Sequence, residues 1–496
     1  MAIAKIIIKD EVNCKIEGLE LTERKALSQK FKFEIPGARY QPSVRLGRWD
    51  GKVAFFQLGG STYINLLPEI IPYLYQRGYE VELDDQRTYS TSYQFNQVTE
   101  NTFKHKVWPE KHPIAGQPVE LRDYQIEIVN RFLENPQCIQ EIATGAGKTL
   151  MTATLSYSCE KYGRTLVIVP NKSLVTQTEA DYRNLGLDVG VYFGDRKEIG
   201  HTHTICTWQS LNLLLKTVNN KEPSSLRLLK DPKNITIYDL IENVVCVMVD
   251  ECHMAKADAL KTLLTGIMSE IPIRWGLTGT IPKEQFEFAS LKCSIGDVIG
   301  KLRASELQDQ GVLANCHVNI MQLVDYTEYK DYQSELKYLL ENEQRLNYIS
   351  NFIEEIRSTG NTLVLVDRKA PGQELVKKIK DSVFVNGSTK SNDRKEQYDE
   401  IATSDNRVIV ATYGVAAVGI NIPRIFNLVL VEPGKSFVRV IQSIGRGIRK
   451  AEDKDFVQIW DITSTCKFAK RHLTKRKAFY TEANYPYSIK KTEWQK

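Results

Sequence analysis

Cysteine pairs of the C-x-x-C kind are absent from this chain of 496 residues, and its nine cysteines lie singly along the sequence. Structural zinc sites often take ligands from such pairs, and disulfide frameworks use an even number of cysteines in an oxidising compartment. The sequence therefore argues against both kinds of covalent support. It favours a reducing compartment, and we expect a cytoplasmic protein.

Long apolar runs are absent as well. No stretch approaches the ~20 apolar residues of a membrane-spanning helix, so we expect no membrane association. Lys5, Lys9 and Asp10 interrupt the first eleven residues, which is unlike a signal peptide.

Positive charge is only slightly in excess: 66 Lys and Arg against 61 Asp and Glu give a net charge of +5. That balance permits nucleic-acid binding but does not argue for it.

The composition that remains is that of a globular protein, with 42% hydrophobic and 26% charged residues. The length suggests about three domains. Residues 1–84 alternate short strands and helices, which predicts a small α/β module, and the polar residues 85–117 are typical of a linker. Buried strands then alternate with helices, which predicts parallel-sheet α/β domains at residues 118–312 and 319–496.

The predicted strands of these two domains are continuous apolar runs. They lie at residues 165–169, 244–249, 362–366, 408–411 and 428–431. A polar stretch at residues 219–234 is interpreted as a surface insertion in the first domain. A charged stretch at residues 329–356 predicts helix at the start of the second domain.

A glycine-rich loop lies between an apolar run and a helix-forming run. It reads Ala143, Thr144, Gly145, Ala146, Gly147, Lys148, Thr149. Glycines let backbone N–H groups close around phosphate oxygens, the lysine reaches the β- and γ-phosphates, and the hydroxyl ligates Mg²⁺. The loop predicts a site for ATP and Mg²⁺, with Thr149 as a metal ligand. The full pattern has glycine at Ala143, and a simple glycine-rich turn is the alternative.

Two adjacent acids, Asp250 and Glu251, end the apolar run at residues 244–249. The carboxyl ends of parallel strands meet at one rim of a sheet, where ligands bind. We predict that Asp250 anchors the metal ion, directly or through water, and that Glu251 polarises the hydrolytic water. Taken alone, such a pair is also compatible with a solvated turn.

The loop and the sequence Asp-Glu-Cys-His at residues 250–253 resemble the motor of superfamily 2 helicases, whose further motifs follow in order over residues 118–465. The resemblance implies two RecA-like domains. It implies that Gln125 hydrogen-bonds adenine and that Arg122 packs on its face. Nucleic-acid phosphates would contact Lys172 and Thr207 in the first domain and Thr412 in the second.

Three further segments belong to this resemblance. Residues 277–280 resemble the motif that couples hydrolysis to strand movement, with Gly279 for the usual alanine. His253 is expected to bond across the two domains, and a simple structural role is the alternative. Residues 411–416 and 419–423 resemble the fifth motif, although Asn421 replaces the common aspartate and puts its coupling role in doubt.

Residues 442–449 resemble the sixth motif. In it, Gln442 would sense the triphosphate. Arg449, brought from the opposite domain, would neutralise charge on the γ-phosphate, with Arg446 beside it. Arginines three residues apart are also compatible with a solvated helix face.

Within the superfamily, the chain resembles the branch of XPB-type helicases and restriction-enzyme motors. Over its whole length it resembles phage recombination helicases. This implies ATP-driven unwinding, annealing or migration of branched DNA, such as forks, D-loops and Holliday junctions, with 3′→5′ travel. Replication, recombination and repair are the implied processes. Single-strand-binding and recombination proteins are the implied partners, in the host cytoplasm.

Two segments offer cations to DNA. Arg45, Arg48 and Trp49 interleave charge, aromatic and glycine residues, which predicts a junction-binding loop unless Trp49 belongs to the module's own core. Residues 467–477 hold seven cationic or titratable basic positions, which favours phosphate contact over a solvated terminal helix. A double-strand translocase, an RNA helicase and a nucleotide-dependent clamp remain alternative functions.

Overall fold

The computed structural model describes residues 2–87, 93–110, 115–219, 235–254, 257–389, 391–415, 422 and 424–495. The predicted insertion after Asn219, and Asn421 with most of the second part of the fifth motif, lie outside these residues. The chain divides into two compact units: Met1–Glu141 with Gly147–Lys301, and Ile142–Ala146 with Leu302–Lys496. No helix among the described residues is long and apolar enough to cross a membrane.

The N-terminal part of the first unit is a four-stranded sheet with two main helices. Its elements are β1 Ala2–Ile8, β2 Asn13–Glu17, α1 Leu21–Lys30, β3 Lys32–Glu34, α2 Pro42–Arg45, β4 Lys52–Ala54, β5 Ser61–Tyr63, α3 Leu67–Gln76 and β6 Tyr79–Asp85. The sheet order is β5-β2-β1-β6, and only β1 and β6 pair in parallel. Strands β3 and β4 form a separate antiparallel hairpin.

The rest of the first unit is built on an eight-stranded sheet of order β10-β9-β11-β8-β12-β13-β7-β14. Its strands are β7 Gln137–Ile142, β8 Arg164–Val169, β9 Val189–Phe193, β10 Arg196–Lys197, β11 His203–Thr207, β12 Val244–Asp250, β13 Ile273–Thr278 and β14 Asp297–Leu302. Its helices are α4 Asp123–Glu134, α5 Lys148–Cys159, α6 Lys172–Asn184, α7 Trp208–Asn219, α8 Ile237–Ile241, α9 Ala257–Thr265 and α10 Gln285–Ser294. The six central strands are parallel, so their carboxyl ends share one edge.

The second unit has a parallel seven-stranded sheet of order β17-β18-β16-β19-β20-β15-β21. Its strands are β15 Asn315–Leu323, β16 Thr362–Val366, β17 Ser382–Val385, β18 Val408–Thr412, β19 Asn427–Val431, β20 Phe456–Ser464 and β21 Tyr487–Thr492. Its helices are α11 Ala304–Asp309, α12 Tyr332–Glu341, α13 Glu343–Ile356, α14 Lys369–Lys378, α15 Ser391–Ala402, α16 Phe437–Gly447 and α17 Lys467–Glu482. The fold class is therefore α/β, with two RecA-like parallel sheets.

Short 3₁₀ turns connect some of these elements. They are Ala38–Tyr40, Ile64–Leu66, Cys252–Met254 and Arg357–Thr359.

All nine cysteine side chains are buried. They act here as small apolar residues of the interior.

The N-terminal module and the first sheet share a hydrophobic core. Phe286, Ala289 and Cys293 of α10 pack with the buried residues of the module. The Nζ of Lys261 in α9 lies 4.0 Å from the ring centroid of Phe55. This contact could not be predicted from the sequence, because packing between two domains does not change the spacing of apolar residues in either one.

Two stretches differ from the sequence-based expectation. The charged stretch at residues 329–356 forms two helices rather than one, because the side chain of Asn342 accepts the backbone N–H of Arg345 at 2.9 Å and begins α13. The segment interpreted as a linker packs on the first unit: Phe103 is buried, and Asn130 exchanges two hydrogen bonds with the backbone of Val98.

Candidate active site

A loop of five residues joins β7 to α5. Gly145 and Gly147 have φ values of +91° and +82°, in the left-handed region that glycine adopts without strain. Ala143 has no positive φ, so alanine fits where the motif usually has glycine. Helix α5 begins at Lys148. The loop therefore places backbone N–H groups at the N-terminus of a helix of 12 residues, where phosphate binds well.

The other loop residues differ in burial. Ala146 is buried, whereas Thr144 and Thr149 are half-buried. Thr149 lies in the first turn of α5, where the motif requires a hydroxyl for the metal ion.

Glu251 forms an ion pair with the lysine of the phosphate loop. Its Oε1 lies 3.0 Å from the Nζ of Lys148, and both side chains are nearly buried. The φ of Glu251 is +49°, a conformation that non-glycine residues rarely adopt and that clusters at functional sites. The backbone N–H of Glu251 donates to Oδ1 of Asp250 at 2.9 Å. The first unit thus brings the predicted lysine and both predicted acids together.

The pKa values of the two acids are shifted in opposite directions. Burial and the neighbouring Glu251 raise the pKa of Asp250 to about 7. Burial would also raise the pKa of Glu251, but Lys148 and His253 outweigh it and lower that pKa to about 2. Glu251 is therefore a carboxylate at neutral pH, as a group that polarises water must be.

A chain of contacts leads from Glu251 to the predicted coupling motif. The backbone N–H of Gly279 donates to Oε2 of Glu251 at 3.3 Å. His253 Nδ1 shares a hydrogen bond with the hydroxyl of Thr278, which in turn donates to the carbonyl oxygen of Thr280 at 2.8 Å. His253 therefore links Glu251, whose Oε2 lies 3.6 Å from its Nδ1, to the coupling motif within the first unit.

Gln125 and Arg122 lie at the start of α4, beside the loop. The backbone N–H of Arg122 donates to Oε1 of Gln125 at 3.0 Å, and Gln125 is buried. A Cβ on Gly147 would lie 2.6 Å from Nε2 of Gln125, so the missing side chain makes room for this amide. Nη1 of Arg122 donates to the hydroxyl of Tyr124 at 3.1 Å. Gln125 is therefore placed against the phosphate loop, and Arg122 lies beside it at the start of α4.

The predicted phosphate contacts of the first sheet differ in exposure. Lys172 begins α6 after the N-cap residue Asn171, and its side chain is exposed. Thr207 ends β11, opposite Val169 of β8, and is buried. Its hydroxyl bonds to that of Ser210 at 2.9 Å. Lys172 is accessible to a phosphate as it stands, whereas the hydroxyl of Thr207 is already engaged.

The predicted residues of the second unit lie at the end of β18 and along α16. Thr412 ends β18 and is half-buried. Gln442 and Arg446 belong to α16, and Arg449 follows it. Their spacing of four residues puts Gln442 and Arg446 on one face of the helix. The backbone of Arg449 is held by a β-bridge to Leu313.

Lys454 was not predicted as a site residue, and it supports the backbone at the end of α16. Its side chain is buried, and its Nζ donates to the carbonyl oxygens of Gly447 at 2.5 Å and Arg449 at 2.8 Å. Burial and the nearby Arg449 lower the pKa of Lys454 to about 7. Lys454 satisfies carbonyl groups left unpaired at the end of α16 and so fixes the backbone that carries Arg449. In sequence it sits among acids and resembles a solvated turn.

The cations of the N-terminal module lie between β3 and β4. Arg45 and Arg48 are exposed. Trp49 is half-buried, and its indole N–H donates to the carbonyl oxygen of Lys52 at 3.0 Å. The two arginines are accessible to phosphates, whereas Trp49 also supports the loop itself.

The predicted basic stretch near the C-terminus forms α17, with two corrections. Arg476 is buried and bonds both carboxylate oxygens of Asp461, at 2.8 and 2.9 Å. His472 is half-buried, and burial first, then nearby cations, lower its pKa to about 4. Neither side chain offers charge to a phosphate at neutral pH.

Two family models match the chain. The model described as type III restriction enzyme, res subunit, matches residues 118–283. The helicase conserved C-terminal domain matches residues 344–451. These ranges contain the phosphate loop, both acids and the arginines of the sixth motif.

Known proteins with these domains are similar over large parts of the chain. The ATP-dependent DNA helicase uvsW of Enterobacteria phage T4 is 25% identical over 480 residues, which cover 92% of this chain and 89% of the phage protein. The DNA 3'-5' translocase XPB2 of Sulfurisphaera tokodaii is 26% identical over 196 residues, 39% of this chain and 38% of that protein.

A solved structure supports the fold. The ATP-dependent Type ISP restriction-modification enzyme LlaBIII bound to DNA has a TM-score of 0.54 at 14% identity, and the match covers 87% of this chain and 36% of that one. At such an identity the likeness concerns the fold alone.

Proposed function

This chain is an ATP-hydrolysing member of the superfamily 2 helicases, and from that premise we propose that it unwinds, anneals or migrates branched DNA at forks, D-loops and Holliday junctions. The observation that carries the proposal is that the module bearing the exposed Arg45 and Arg48 shares a core with the first motor domain. The match to the phage DNA helicase covers 92% of the chain and so extends into this module. A second DNA contact fixed to a motor suits an enzyme that holds one arm of a junction while it pulls on another.

In this proposal ATP binds first, and its phosphates replace Glu251 as the ion-pair partner of Lys148. The carboxylate of Glu251, ionised at neutral pH, then orients and polarises the attacking water. Gln125 and Arg122 hold the base. Mg²⁺ would be held by Thr149 and Asp250 and would offset phosphate charge. These side chains fit the ion, since a hydroxyl and a carboxylate are the hard oxygen ligands that it prefers.

Arg449 supplies the positive charge that the transferred phosphoryl group needs, with Arg446 beside it and Gln442 sensing the nucleotide. Loss of the γ-phosphate changes the partners of Glu251. The change passes through Gly279, and through His253 and Thr278, to the coupling motif. Lys172 and Thr412 hold the strand that is moved.

ATPase rates with different nucleic acids test the proposal. The rate is measured with no nucleic acid, with single strands, with linear duplex and with a fork or four-way junction. We expect the largest stimulation with junctions, and displacement of strands with 3′→5′ polarity on forks. Stimulation by linear duplex alone would indicate a double-strand translocase. Preferential stimulation by RNA would indicate an RNA helicase, and negligible turnover would indicate a clamp.

Charge reversal tests the N-terminal contact. Arg45→Glu with Arg48→Glu should weaken junction binding and lower its dependence on salt, because fewer counterions are released. The matched control reverses two exposed lysines of the same module, Lys9 and Lys25. If the two variants bind a junction with equal affinity, the loop that carries Arg45 and Arg48 does not contact DNA.

A further inference from the structure

Helix α17 is anchored by one face. Leu473, Arg476 and Tyr480 are buried on that face. Arg476 and the hydroxyl of Tyr480 both donate to the carboxylate of Asp461, the latter at 2.7 Å. Nη1 of Arg476 also donates to the carbonyl oxygen of Gly434 at 2.7 Å. Charge-assisted bonds of this kind fix the helix to β20 and to the loop that follows β19.

The opposite face of α17 carries exposed cations over its first half, and the acid on that face, Glu482, is the last residue of the helix. The four residues, here called the basic ridge, are Lys467, Lys470, Arg471 and Lys475. Their spacing of three, four and eight residues from the first places them on one helix face about 12 Å long. All four are exposed, and none forms an ion pair with a carboxylate of the residues that the structure describes. Several other cations of this unit are paired, as Arg439 is with Asp367 at 2.6 Å.

Two neighbours support the ridge. Phe468 lies between two of its cations, with Nζ of Lys467 at 5.9 Å and Cζ of Arg471 at 5.8 Å from the ring centroid. Such contacts order long cationic side chains. Burial, then Lys435, Arg476 and finally the ridge residue Lys475, lower the pKa of His472, so the ridge adds to positive charge that other residues also supply.

The ridge also starts at the ligand-binding edge of the sheet. All strands of the second sheet are parallel, so the end of β18 at Thr412 and the end of β20 at Ser464 share one edge. Helix α17 begins three residues after Ser464. Ligands of parallel sheets bind at this edge.

We propose that the basic ridge binds the phosphate backbone of DNA, as a surface additional to the helicase motifs. The proposal rests on the proposed function in taking DNA as the substrate. A protein partner fits the ridge less well, because protein interfaces are anchored by large apolar or aromatic side chains and α17 exposes none. Four unpaired cations on a rigid support suit a polyanion whose charges repeat along its length.

The test is the salt dependence of DNA binding in a variant without the ridge charges: Lys467→Gln, Lys470→Gln, Arg471→Gln and Lys475→Gln. The control removes four exposed lysines of the same unit: Lys337→Gln, Lys380→Gln, Lys490→Gln and Lys491→Gln. Both variants have the same net charge. Affinity for a fluorescent linear duplex, a single strand and a fork is measured over a range of salt. Circular dichroism and a melting curve check that each variant folds.

We expect the slope of log affinity against log salt to fall by about 3 for the ridge variant and by less than about 1 for the control, since each phosphate contact contributes about 0.7–0.9. The DNA form that loses most identifies the arm that the ridge holds. Equal slopes for the two variants would overturn the proposal. If the quadruple variant misfolds, Lys470→Glu with Arg471→Glu replaces it, with Lys490→Glu and Lys491→Glu as control.

The slope does not depend on a preference for branched DNA. If junctions fail to stimulate the ATPase above linear duplex, the proposed function fails while a reduced slope still supports the ridge. If junctions stimulate and the slope is unchanged, the ridge fails alone.

Discussion

The backbone around Arg449 is held by contacts within the second unit. Lys454 bonds the carbonyl oxygens of Gly447 and Arg449, and Leu313 pairs with Arg449 through a β-bridge. These contacts fix the point at which the chain leaves α16. A charge that is positioned before the reaction stabilises the transition state without a cost of reorganisation.

Substitution Arg449→Ala tests this role. We expect kcat for ATP to fall by about 10³ or more, while KM for ATP and the affinity for DNA change little, because the guanidinium acts on charge that develops during transfer. Steady-state kinetics at saturating DNA measure both constants. Arg424→Ala, which removes an arginine paired with Asp405 and Asp453, serves as control and should leave kcat unchanged. If Arg449→Ala hydrolyses ATP at the normal rate, another residue neutralises the charge on the transferred phosphoryl group.

His472 makes stability depend on pH. Its pKa in the folded chain is about 4, below the ordinary 6.5, so the unfolded chain binds a proton first as pH falls. Stability is therefore lost between pH 6.5 and 4. Because the side chain is half-exposed, the loss is about 1 kcal/mol rather than the full value of the shift.

The variant His472→Gln should lose less stability than the wild type between pH 6.5 and 4. Above pH 7, the stability of the two proteins should depend on pH in the same way. Urea unfolding at pH 7, 5.5 and 4.5 measures the difference. His201→Gln is the control, since His201 is exposed. The same slope in wild type and His472→Gln would show that His472 titrates alike in both states.

Single residues were predictable from the sequence where a motif fixed their neighbours. Lys148, Asp250 and Glu251 meet as expected, because a loop and a strand end at one sheet edge have few alternative positions. Arg476 and Lys454 were not predictable. Whether a basic side chain on a helix or in a turn is buried depends on acceptors that come from distant parts of the chain.

Elements show the same contrast. The parallel strands matched their apolar runs to within one or two residues, as β16 and β19 show, because strands covered on both faces have no polar positions to confuse the pattern. The break between α12 and α13 was missed. Asn342 there is one polar residue among many, and only its hydrogen bond to Arg345 makes it a cap.

Gly147 is the residue at which the phosphate loop enters α5, and Gly147→Ala tests whether a glycine is needed there. The new Cβ would lie 2.6 Å from Nε2 of Gln125, at a φ of +82° that costs about 1 kcal/mol for alanine. We expect weaker ATP binding with a modest loss of stability, measured by titration calorimetry and melting.

Gly387→Ala is the matched control for this loop. Gly387 has no positive φ, and a Cβ there would meet no atom within 4 Å. It should bind ATP as the wild type does. Unchanged ATP affinity in Gly147→Ala would mean that Gln125 moves aside without loss.

At the level of the molecule, the N-terminal module rests on the helices that follow the two catalytic strands. Helix α9 follows the acids at the end of β12, and α10 follows the coupling motif at the end of β13. Buried Arg274 joins both helices, donating to the carbonyl oxygens of Leu264 and Ser294. Packed elements therefore connect the carboxyl ends of these two strands to the module. Neither the shared core nor Arg274 could be predicted, since each depends on residues far apart in sequence.

A double-mutant cycle between Phe55 and Phe286 tests whether the module and the motor domain fold as one body. The two rings meet edge to face with centroids 5.8 Å apart, one in the module and one in α10. Each Phe→Leu change should cost about 1–3 kcal/mol in urea unfolding, and the pair should couple by about 0.5–1.5 kcal/mol because the first change already removes the ring contact. Phe352→Leu, in the second unit, should instead add to Phe55→Leu within about 0.5 kcal/mol. Additive costs for Phe55 and Phe286 would mean that the module is attached to the motor without sharing its core, and a DNA contact at Arg45 would then have no rigid path to the ATP site.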